Sequence, residues 1–572
     1  MKITINNRIL EASPGETVLS VAARAGISIP TLCHMEGLPP TGACRMCVVE
    51  DIGTDNLIPS CSQPAVEGME IKTHSPKALN ARKTIVELLL ANHPDDCLYC
   101  IRNGCCTLQD YSEELGVRQR RYSGVKSTYD LDVSSPSIVR DPDKCILCGK
   151  CVRVCEEIQG VSAIDFVGRG SATHIGCAFE EGLNVSSCVY CGQCIMVCPT
   201  GALAEKDETA RVIAALRNPD ITVVAQHAPA ISVTIAEDFG IKPGTDIVDR
   251  MNGAMRRMGF DYIFPTSFGA DLTVIEEAHE LVQRVTSGGP FPLFTSCSPG
   301  WVKFMEEFYP ELVKNVSSCK SPQQMLGAVV KRIWTSERDI DPKKVFHVSI
   351  MPCTAKKFEC DRPGMRNDSV RDVDVVLTTR EFVRMIKMFG IDLEQVDGEP
   401  ADNPYGERSS AGKIFGASGG VMEAAVRTAY HMITAKELPD LDVKDVRGFK
   451  GIKEIEIEIG EFVLKAAVVS GLGNARKLLD SILAGEKTYH FVEIMTCPGG
   501  CIAGGGQPFT SDPKMVRSRM MSLYSIDSSA PVRTAHSNVS LKKLYDDHLK
   551  KPGSHVAHEI LHTGYARREV LK

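Results

Sequence analysis

The feature of this chain that most constrains its fold is the arrangement of its cysteines. Of 23 cysteines in 572 residues, 17 precede residue 200. Two runs share the spacing C-x2-C-x2-C-x3-C, and the second is followed by a proline. This spacing is typical of ferredoxin domains with two [4Fe–4S] cubanes, in which the fourth cysteine of each run ligates the other cluster. The sequence therefore predicts one cubane at Cys145, Cys148, Cys151 and Cys198, and another at Cys188, Cys191, Cys194 and Cys155.

Cysteine-rich chains are either exported proteins held by disulfides or metal-binding proteins of reducing compartments. Residues 1–7 alternate like a strand and lack the apolar core of a secretory signal. No run of about 18 apolar residues, the length that spans a membrane, occurs. The net charge of -7 excludes a nucleic-acid footprint and mildly favours a cationic partner surface. We expect a metal-binding protein of the cytoplasm with no nucleic-acid or membrane partner.

Residues 1–78 are predicted to form a small β-rich domain. Their four cysteines follow C-x10-C-x2-C-x13-C, and Gly42 lies in the bend between the first two. Four thiolates suit a [2Fe–2S] cluster, although the first gap is longer than in plant-type ferredoxins. A structural zinc site is the alternative. The predicted ligands are Cys33, Cys44, Cys47 and Cys61.

Residues 79–126 carry the spacing H-x3-C-x2-C-x5-C behind a predicted helix, 76–92. A histidine after a helix is ordinarily solvated or capping, but three cysteines at these distances favour a His-ligated [4Fe–4S] cluster. An imidazole in place of a thiolate makes a cluster less negative and raises its potential. By spacing alone, Cys105 is as good a ligand as Cys106. The predicted ligands are His93, Cys97, Cys100 and one of these two.

After the ferredoxin-type region, 127–209, the composition changes to alternating strands and helices over 210–572. This pattern predicts a large α/β catalytic domain with its site on loops at strand ends. Predicted strands are 221–224, 345–350 and 463–469, and predicted helices are 247–259 and 271–285.

Three stretches in this half place cysteine beside Pro or Gly, where the backbone can bend closely around an inorganic cluster. They are 295–301 (TSCSPGW), 351–359 (MPCTAKKFE) and 495–501 (MTCPGGC), the last running into 504–508 (GGGQP). Their thiols lie far apart and are not paired as in zinc fingers. The stretches resemble the three signatures of the [FeFe]-hydrogenase active-site domain. The N-terminal patterns resemble the accessory domains of its long clostridial-type form, and also the large iron–sulfur subunit of respiratory complex I.

The resemblance implies a multidomain α+β chain, with an N-terminal ferredoxin-like β-grasp domain and cubane ferredoxin modules before a large α/β H-cluster domain. It implies an H-cluster, a [4Fe–4S] cubane sharing one thiolate with a diiron subsite that carries CO, cyanide and azadithiolate. Three accessory [4Fe–4S] clusters and one [2Fe–2S] cluster would feed it. The implied reaction is reversible reduction of protons to dihydrogen. The implied partners are ferredoxin or flavin- and NAD-bearing subunits, together with maturation proteins for the diiron site.

Carried over by position, the resemblance makes Cys501 the shared thiolate and places Cys353 and Cys497 at other cubane corners. It favours Cys106 as the ligand in the His-ligated module. Lys356 would hold an ammonium against a cyanide, a strong interaction in a dry site; a solvent-exposed lysine is the alternative. The residues implied to line the pocket are Ala228, Pro229, Met351, Gly416 and Met495.

The first motif departs from the family pattern of two adjacent cysteines. Cys297 occupies the proton-carrier position and Ser298 the cubane-ligand position. A hydroxyl is harder to deprotonate than a thiol and is a poorer iron ligand. Three possibilities follow: Ser298 ligates, Cys297 shifts to ligate, or the serine is an engineered substitution. We expect Ser298 to ligate and Cys297 to remain the acid, with Cys319 as a further thiol nearby.

The family's proton relay falls on five residues of this sequence. Three of them are spaced i, i+3 and i+7 on the predicted helix 271–285, so one face can carry them. By spacing alone, the same face would be an ordinary solvated stripe. The relay residues implied by the resemblance are Cys297, Glu277, Ser317, Glu280 and Arg284.

Other functions explain less of the sequence. An electron-transfer subunit like that of complex I would lack the three later motifs, and an iron–sulfur assembly protein would lack the equivalents of Lys356 and Cys297. A hydrogen sensor and the catalytic subunit of a multi-subunit NAD(P)-linked hydrogenase, possibly electron-bifurcating, remain as alternatives. The stretch 558–562 fits H-E-x-x-H, but without a third ligand downstream it favours a docked terminal helix over a zinc protease.

Overall fold

A computed structural model describes residues 1–460, 462–509 and 512–570 as a mixed α/β protein. The strands are β1 (Lys2–Ile5), β2 (Arg8–Glu11), β3 (Val48–Asp51), β4 (Asn56–Pro59), β5 (Glu70–Lys72), β6 (Ile138–Arg140), β7 (Asp165–Val167), β8 (His174–Gly176), β9 (Leu203–Glu205), β10 (Thr222–His227), β11 (Tyr262–Pro265), β12 (Leu293–Phe294), β13 (Val345–Met351), β14 (Arg366–Asn367), β15 (Val370–Arg371), β16 (Val375–Thr378), β17 (Ile452–Ile459), β18 (Phe462–Ser470) and β19 (Phe491–Met495).

The helices include several very short ones beside the loops that carry cysteines. They are α1 (Val18–Arg24), α2 (Pro76–Asn92), α3 (Thr107–Glu114), α4 (Lys150–Arg153), α5 (Gln193–Val197), α6 (Thr209–Leu216), α7 (Val248–Met258), α8 (Thr266–Ser287), α9 (Pro299–Phe308), α10 (Pro322–Val329), α11 (Thr335–Glu337), α12 (Ala355–Glu359), α13 (Thr379–Met388), α14 (Ala411–Ile414), α15 (Gly420–Thr434), α16 (Leu472–Leu483), α17 (Pro513–Ser529), α18 (Val539–Leu544) and α19 (His555–Leu561).

The N-terminal region forms a five-stranded sheet in the order β2-β1-β5-β3-β4. Strand β1 is parallel to β5, and the other pairs are antiparallel. Because side chains alternate along a strand, Ile3 and Ile5 face the same way and pack with Val18 of α1 and Val49 of β3. The predicted β-rich character of this region is confirmed.

Two four-stranded sheets build the C-terminal half. The sheet β11-β10-β13-β16 is parallel throughout. In the sheet β12-β19-β18-β17, only β17 runs antiparallel to its neighbour. Strands such as β13 and β19 are almost wholly buried, as expected for parallel strands covered on both faces. The carboxyl ends of β10, β13, β12 and β19 lead directly into the cysteine-bearing and pocket-lining loops.

Helix α8 crosses the centre of this half and is buried along most of its length. Close approach to its neighbours requires glycine at two positions. A Cβ on Gly269 would lie 2.2 Å from the carbonyl oxygen of Pro322, and one on Gly412 would lie 2.3 Å from that of Ser267. These contacts bring α10 and α14 against α8, which is why its first half has no solvent face.

The C-terminal region packs on the same core rather than extending from it. Leu541 of α18 and Leu561 of α19 are buried in the hydrophobic cluster that contains Phe268 and Met325. A docked terminal helix was predicted at this place, and it is confirmed. Both ring nitrogens of His562 are engaged: Nδ1 lies 2.8 Å from the Ser318 hydroxyl, and Nε2 lies 3.2 Å from the Glu276 carboxylate.

The elements predicted within residues 210–572 are present with small changes of length. Predicted helix 271–285 begins five residues earlier, at Thr266, because its first turn is held in the core rather than exposed. Strand β10 runs on to His227, three residues past its predicted end. Within the described residues, no helix is both long and apolar enough to cross a membrane.

Candidate active site

A partly open cavity lies where the ends of the two sheets meet, and its volume is about 770 Å³ with the solvent-filled space at its mouth included. Loops from both sheets line it, together with the segment between α14 and α15. Every residue that the sequence predicted as pocket-lining, catalytic-cluster ligand or cyanide partner lies on this wall. They are Ala228, Pro229, Cys297, Ser298, Met351, Cys353, Lys356, Gly416, Met495, Cys497 and Cys501.

The cavity walls pack too tightly for side chains at certain glycines. Gly500, with φ +95°, would bring a Cβ within 2.6 Å of the Ser418 nitrogen. A Cβ on Gly504 would lie 2.1 Å from the Pro352 carbonyl oxygen. The last motif therefore folds directly against the loop that follows β13, and this packing holds the Cys501 thiol toward the cavity.

The donor set of the cavity suits an iron–sulfur cluster. Burial raises the pKa of Cys353 and Cys497, and it raises that of Cys501 to about 12. Desolvated thiols are poor anions until a metal binds them, although the Lys356 ammonium partly offsets this effect at Cys353 and Cys501. Backbone N–H groups of Ala355 and Lys356 point at the Cys353 sulfur, where they would stabilise a thiolate. The residues present thus fit a metal cluster held by sulfur.

Ser298 lies on the cavity wall and faces the last motif. Its hydroxyl oxygen lies 2.8 Å from Oγ1 of Thr496 and accepts from the Thr496 backbone N–H at 3.3 Å. Ser298 and Cys497 therefore approach the cavity from adjoining loops. Sequence reasoning did not identify Thr496 as a partner. Cys319, the other thiol considered, is fully buried beside the acidic groups of α8 and does not line the cavity.

Lys356 is buried, so a solvent-exposed lysine is excluded. Its ammonium donates to the Cys297 carbonyl oxygen at 3.2 Å and pairs with the Glu359 carboxylate at 2.9 Å. Glu359 also accepts from Ser321 at 2.8 Å and from Gln323 at 3.1 Å. Glu359 was not predicted as a site residue, although its spacing of i+3 from Lys356 on a helix was a usable signal.

Predicted relay residues extend from the cavity toward the surface. Glu277 is fully buried and accepts from the Ser296 backbone N–H at 3.2 Å. Burial is the main cause that raises its pKa, to about 8. Glu280 follows one turn later and pairs with Arg284 at 3.3 Å, both at the edge of the core. Glu277 is therefore fully buried, whereas Glu280 and Arg284 lie partly exposed at the edge of the core.

Cys297 and Ser317 lie at the end of the predicted proton relay that is nearest to the cavity. Cys297 lines the cavity, and its buried thiol lies close enough to Glu277 for a charge there to raise its pKa further. Ser317 is fully buried and accepts from the Cys319 backbone N–H at 3.2 Å. The Oε2 atoms of Glu277 and Glu280 are buried without a hydrogen-bond partner among the described residues. Each therefore has an oxygen free to hold or pass a proton.

The two ferredoxin-type runs form two further cavities, with empty volumes of about 450 and 460 Å³. Each cavity takes three cysteines from one run and the fourth from the other. The first is lined by Cys145, Cys148, Cys151 and Cys198, and the second by Cys155, Cys188, Cys191 and Cys194.

The two N-terminal modules also gather their predicted ligands. The Cys33 thiol lies beside that of Cys44, the Cys47 thiol lies beside that of Cys61, and electrostatic interactions connect the four. His93 ends α2 with Nδ1 buried and unpartnered among the described residues. Of the two adjacent candidates in that module, Cys106 is buried and Cys105 is exposed.

Short contacts join the modules in sequence. The backbone N–H of Thr31 donates to the Tyr111 hydroxyl at 3.1 Å, and Arg102 donates to the Cys198 carbonyl oxygen at 2.9 Å. At the inner end, a Cβ on Gly505 would lie 2.1 Å from the Cys191 carbonyl oxygen. The second of the two cysteine-lined cavities thus abuts the loop that supplies Cys497 and Cys501.

Family models match successive parts of the chain. Residues 221–505 match the iron only hydrogenase large subunit, C-terminal domain, and residues 513–568 match the iron hydrogenase small subunit. Residues 1–76 match a 2Fe-2S iron-sulfur cluster binding domain. Residues 82–121 match the NADH-ubiquinone oxidoreductase-G iron-sulfur binding region, and residues 135–204 match the NADH-quinone oxidoreductase subunit 3 ferredoxin-like domain.

Full-length relatives and solved structures agree with these matches. The chain is 43% identical to the NADP-reducing hydrogenase subunit HndD of Solidesulfovibrio fructosivorans, over 100% of both chains. It is 42% identical to iron hydrogenase 1 of Clostridium pasteurianum, over 99% of this chain and 100% of that one. A solved structure of the [FeFe]-hydrogenase HydA(deltaEFG) matches with a TM-score of 0.58 and 41% identity, over 63% of this chain and 99% of that one. The chain belongs to the iron-only, or [FeFe]-, hydrogenase family.

Proposed function

We propose that this protein catalyses the reversible reduction of protons to dihydrogen in the cavity where the two sheets meet. The observation that carries the proposal is the convergence there of three cysteine thiols from two motifs, the Cys297 thiol and the Lys356 ammonium. These groups can hold a metal cluster, supply a proton and stabilise negative charge in a dry site. The proposed cofactor is the H-cluster, with three accessory [4Fe–4S] clusters and one [2Fe–2S] cluster.

In this proposal, Cys353, Cys497 and Cys501 would hold the catalytic cubane, and Cys501 would supply the thiolate that also serves the diiron unit. Ser298 is the fourth donor, since its hydroxyl lies on the same wall and accepts a backbone hydrogen bond that would stabilise an alkoxide. When bound, the cluster supplies the redox-active irons at which electrons and protons combine. Met351 and Met495 offer soft, polarizable packing, and Ala228, Pro229 and Gly416 exclude water.

Lys356 has two tasks in this proposal. Its ammonium stabilises negative charge on a cyanide of the cofactor, where a charged hydrogen bond is strong because water is excluded. Its bond to the Cys297 carbonyl oxygen also holds the first motif in place. Glu359 positions Lys356 by pairing with it from one turn further along α12.

Proton delivery is assigned to Arg284, Glu280, Ser317, Glu277 and Cys297. Glu277 is the central carrier, because a carboxyl with a pKa of about 8 keeps its proton at neutral pH and can release it nearby. Cys297 would then release its thiol proton into the cavity and receive another proton from Glu277. Direct hydrogen bonds or single waters between successive groups are sufficient for this transfer.

Electrons would reach the cavity through the cubane of Cys188, Cys191, Cys194 and Cys155, since Cys191 lies beside the loops of the catalytic motifs. The cubane of Cys145, Cys148, Cys151 and Cys198 would supply electrons to the first one. The modules 1–78 and 79–126 would accept electrons from the partner at the protein surface. We propose that 1–78 is a β-grasp ferredoxin-like domain, that 127–209 holds the two cubanes and that 210–572 is the H-cluster domain including its C-terminal extension. A reducing cytoplasm fits thiols kept for metal ligation.

The proposed electron partner is ferredoxin. A second candidate is a role as the catalytic subunit of a larger NADP-linked hydrogenase, which the full-length similarity to subunit HndD favours. Flavin- and NAD-bearing subunits would then take the place of ferredoxin at the N-terminal modules. Maturation proteins are required in either case, because the diiron unit is not assembled by the chain itself.

The test is anaerobic purification after expression with maturation proteins, followed by iron counting, infrared spectroscopy and hydrogen assays. The expected results are infrared bands from bound CO and cyanide, and hydrogen formation from reduced ferredoxin or a reduced viologen. Cys501→Ser should remove the infrared bands and the activity while the accessory clusters remain. The proposal fails if matured protein holds iron only in its ferredoxin-type modules.

The role of Ser298 has its own comparison. Ser298→Cys should hold the catalytic cubane more firmly against a chelator, because a thiolate is the better iron ligand. Ser298→Ala should lose this cubane first. Equal iron retention in all three proteins would show that the serine oxygen does not ligate.

A further inference from the structure

A group of metal-binding side chains lies outside the cluster sites, at the end of α15. The rings of His431 and His536 are stacked, with centroids 4.1 Å apart and planes 9° from parallel. Glu437 reaches both: its Oε1 lies 2.9 Å from Nε2 of His536 and 3.5 Å from Nδ1 of His431. One donor atom from each residue lies within 4.8 Å of the others.

This arrangement places three electron-pair donors around one point with few hydrogen-bond partners of their own. Nδ1 of His431 is buried and has no hydrogen-bond partner among the described residues. The other nitrogen of His536, Nδ1, lies 3.2 Å from the Thr428 hydroxyl, which orients Nε2 toward the carboxylate. Nε2 of His536 lies at hydrogen-bond distance, 2.9 Å, from Glu437, whereas Nδ1 of His431 is left without such a partner. A divalent cation between the three atoms satisfies all of them.

We infer that His431, Glu437 and His536 bind one divalent transition-metal ion of the zinc class. Two imidazole nitrogens and one carboxylate oxygen form a ligand set typical of Zn²⁺. Tetrahedral coordination with bonds of 2.0–2.1 Å separates neighbouring donor atoms by about 3.3 Å. The two distances to Glu437 lie on either side of that value, and turning the partly exposed His431 ring out of the stack would let both ring lone pairs meet at one ion. The fourth position faces solvent and would take water.

The ion would join segments that are far apart in the chain. His431 lies in the last turn of α15, Glu437 in the loop after it, and His536 in the short turn 535–537 of the C-terminal region. Helix α15 packs on α8 and starts beside the cavity wall at Gly416. Metal binding here would therefore cross-link the C-terminal region to α15. It would also stabilise the folded state by mass action.

A second group of acids in the same region serves as a comparison. Glu423, Asp442 and Asp527 also lie within ligand distance of one another. These carboxylates are already paired with Arg427, Arg447 and Arg533. Since the arginines supply the positive charge, no cation is needed there. The histidine group differs because no arginine or lysine among the described residues pairs with Glu437.

The test uses the cluster-loaded protein under anaerobic conditions, so that cysteine sites are filled with iron. Zn²⁺ is titrated by calorimetry, and Co²⁺ is added as a spectroscopic probe of coordination. We expect one Zn²⁺ per chain beyond the clusters, tetrahedral Co²⁺ absorption bands, and a rise in the thermal midpoint on adding Zn²⁺. His536→Ala and Glu437→Gln should each weaken Zn²⁺ binding by at least about tenfold.

His548→Ala is the matched control, because His548 also pairs with a glutamate, Glu337, at 2.8 Å, but no third ligand completes that pair among the described residues. It should bind Zn²⁺ like the unaltered protein. His431→Gln, at a partly exposed position, keeps the test valid if His536→Ala is unstable. Iron content should be the same in all proteins. The inference is overturned if the unaltered protein binds no additional Zn²⁺, or if its affinity survives in both His431→Gln and Glu437→Gln.

Discussion

The Lys356 ammonium lies 2.9 Å from the Glu359 carboxylate, and both groups are buried beside the cavity. Removing one member of a buried ion pair leaves an uncompensated charge, which costs about 3–5 kcal/mol. Glu359→Gln should therefore lower the free energy of unfolding by about that amount and displace Lys356. Thermal unfolding of the anaerobic protein and hydrogen assays measure the two effects.

The control is Glu456→Gln, which breaks an exposed pair with Lys465 and should cost less than about 1 kcal/mol. In the double variant Lys356→Met/Glu359→Gln, stability should recover while activity stays lost. Equal stability of Glu359→Gln and Glu456→Gln would contradict the assigned importance of the buried pair.

The buried carboxyl of Glu277 should make the free energy of unfolding fall as the pH rises toward about 8. Its ordinary pKa is 4.5, so between these values the unfolded chain has lost this proton while the folded protein keeps it. The contribution of this carboxyl to stability is therefore complete below pH 4.5 and is lost through pH 8. Glu277→Gln lacks this dependence. From pH 6 to pH 9, its free energy of unfolding should therefore rise by about 2–3 kcal/mol relative to that of the unaltered protein.

The same variant should lose hydrogen formation by at least about 100-fold, because an amide cannot carry the proton to Cys297. Gln283→Ala, at an exposed position of α8, is the control and should leave both properties unchanged. Thermal midpoints across this pH range and hydrogen assays give the two readouts. A pH-independent stability difference would argue against a buried protonated carboxyl.

The proposed ligation of each cubane by cysteines of both runs predicts a specific pattern of iron loss. Cys198→Ala should remove about four irons per chain, the content of one cubane. Cys145→Ala/Cys198→Ala should remove no more, because both residues line one cavity. Cys188→Ala/Cys198→Ala, with both changes in one run, should remove about eight. Iron analysis of the anaerobic proteins decides between this pattern and ligation within each run.

Gly505→Ala should disrupt the junction between the second cubane module and the catalytic loops. The added methyl would lie 2.1 Å from the Cys191 carbonyl oxygen and 2.7 Å from the Cα of Gly192, so the backbone must move. We expect the free energy of unfolding to fall by more than about 2 kcal/mol. Hydrogen formation driven by ferredoxin should slow more than hydrogen formation driven by a small reductant. Gly564→Ala, with open space around its Cα, should behave like the unaltered protein.

The sequence by itself determined the sites whose geometry is local. Ligands spaced C-x2-C come from a single turn of chain, so Cys145, Cys148 and Cys151 were identifiable without a fold. The common face of Glu277, Glu280 and Arg284 on α8 was equally predictable, because residues three and four apart share one side of any helix. Spacing alone did not distinguish a proton relay from a solvated stripe. The α/β character of the second half followed from alternating apolar segments, although the bounds of α8 shifted by one turn.

Tertiary structure alone decided which distant groups meet and how deeply they are buried. Ser298 and Thr496, 198 residues apart, touch because β12 and β19 are neighbours in one sheet. The raised pKa of Glu277 comes from packing around α8, and no local pattern predicts it. His431 and His536 meet only because the C-terminal region folds back onto α15. Spacing along the chain sets local geometry, whereas long-range contacts and desolvation depend on how the whole core packs.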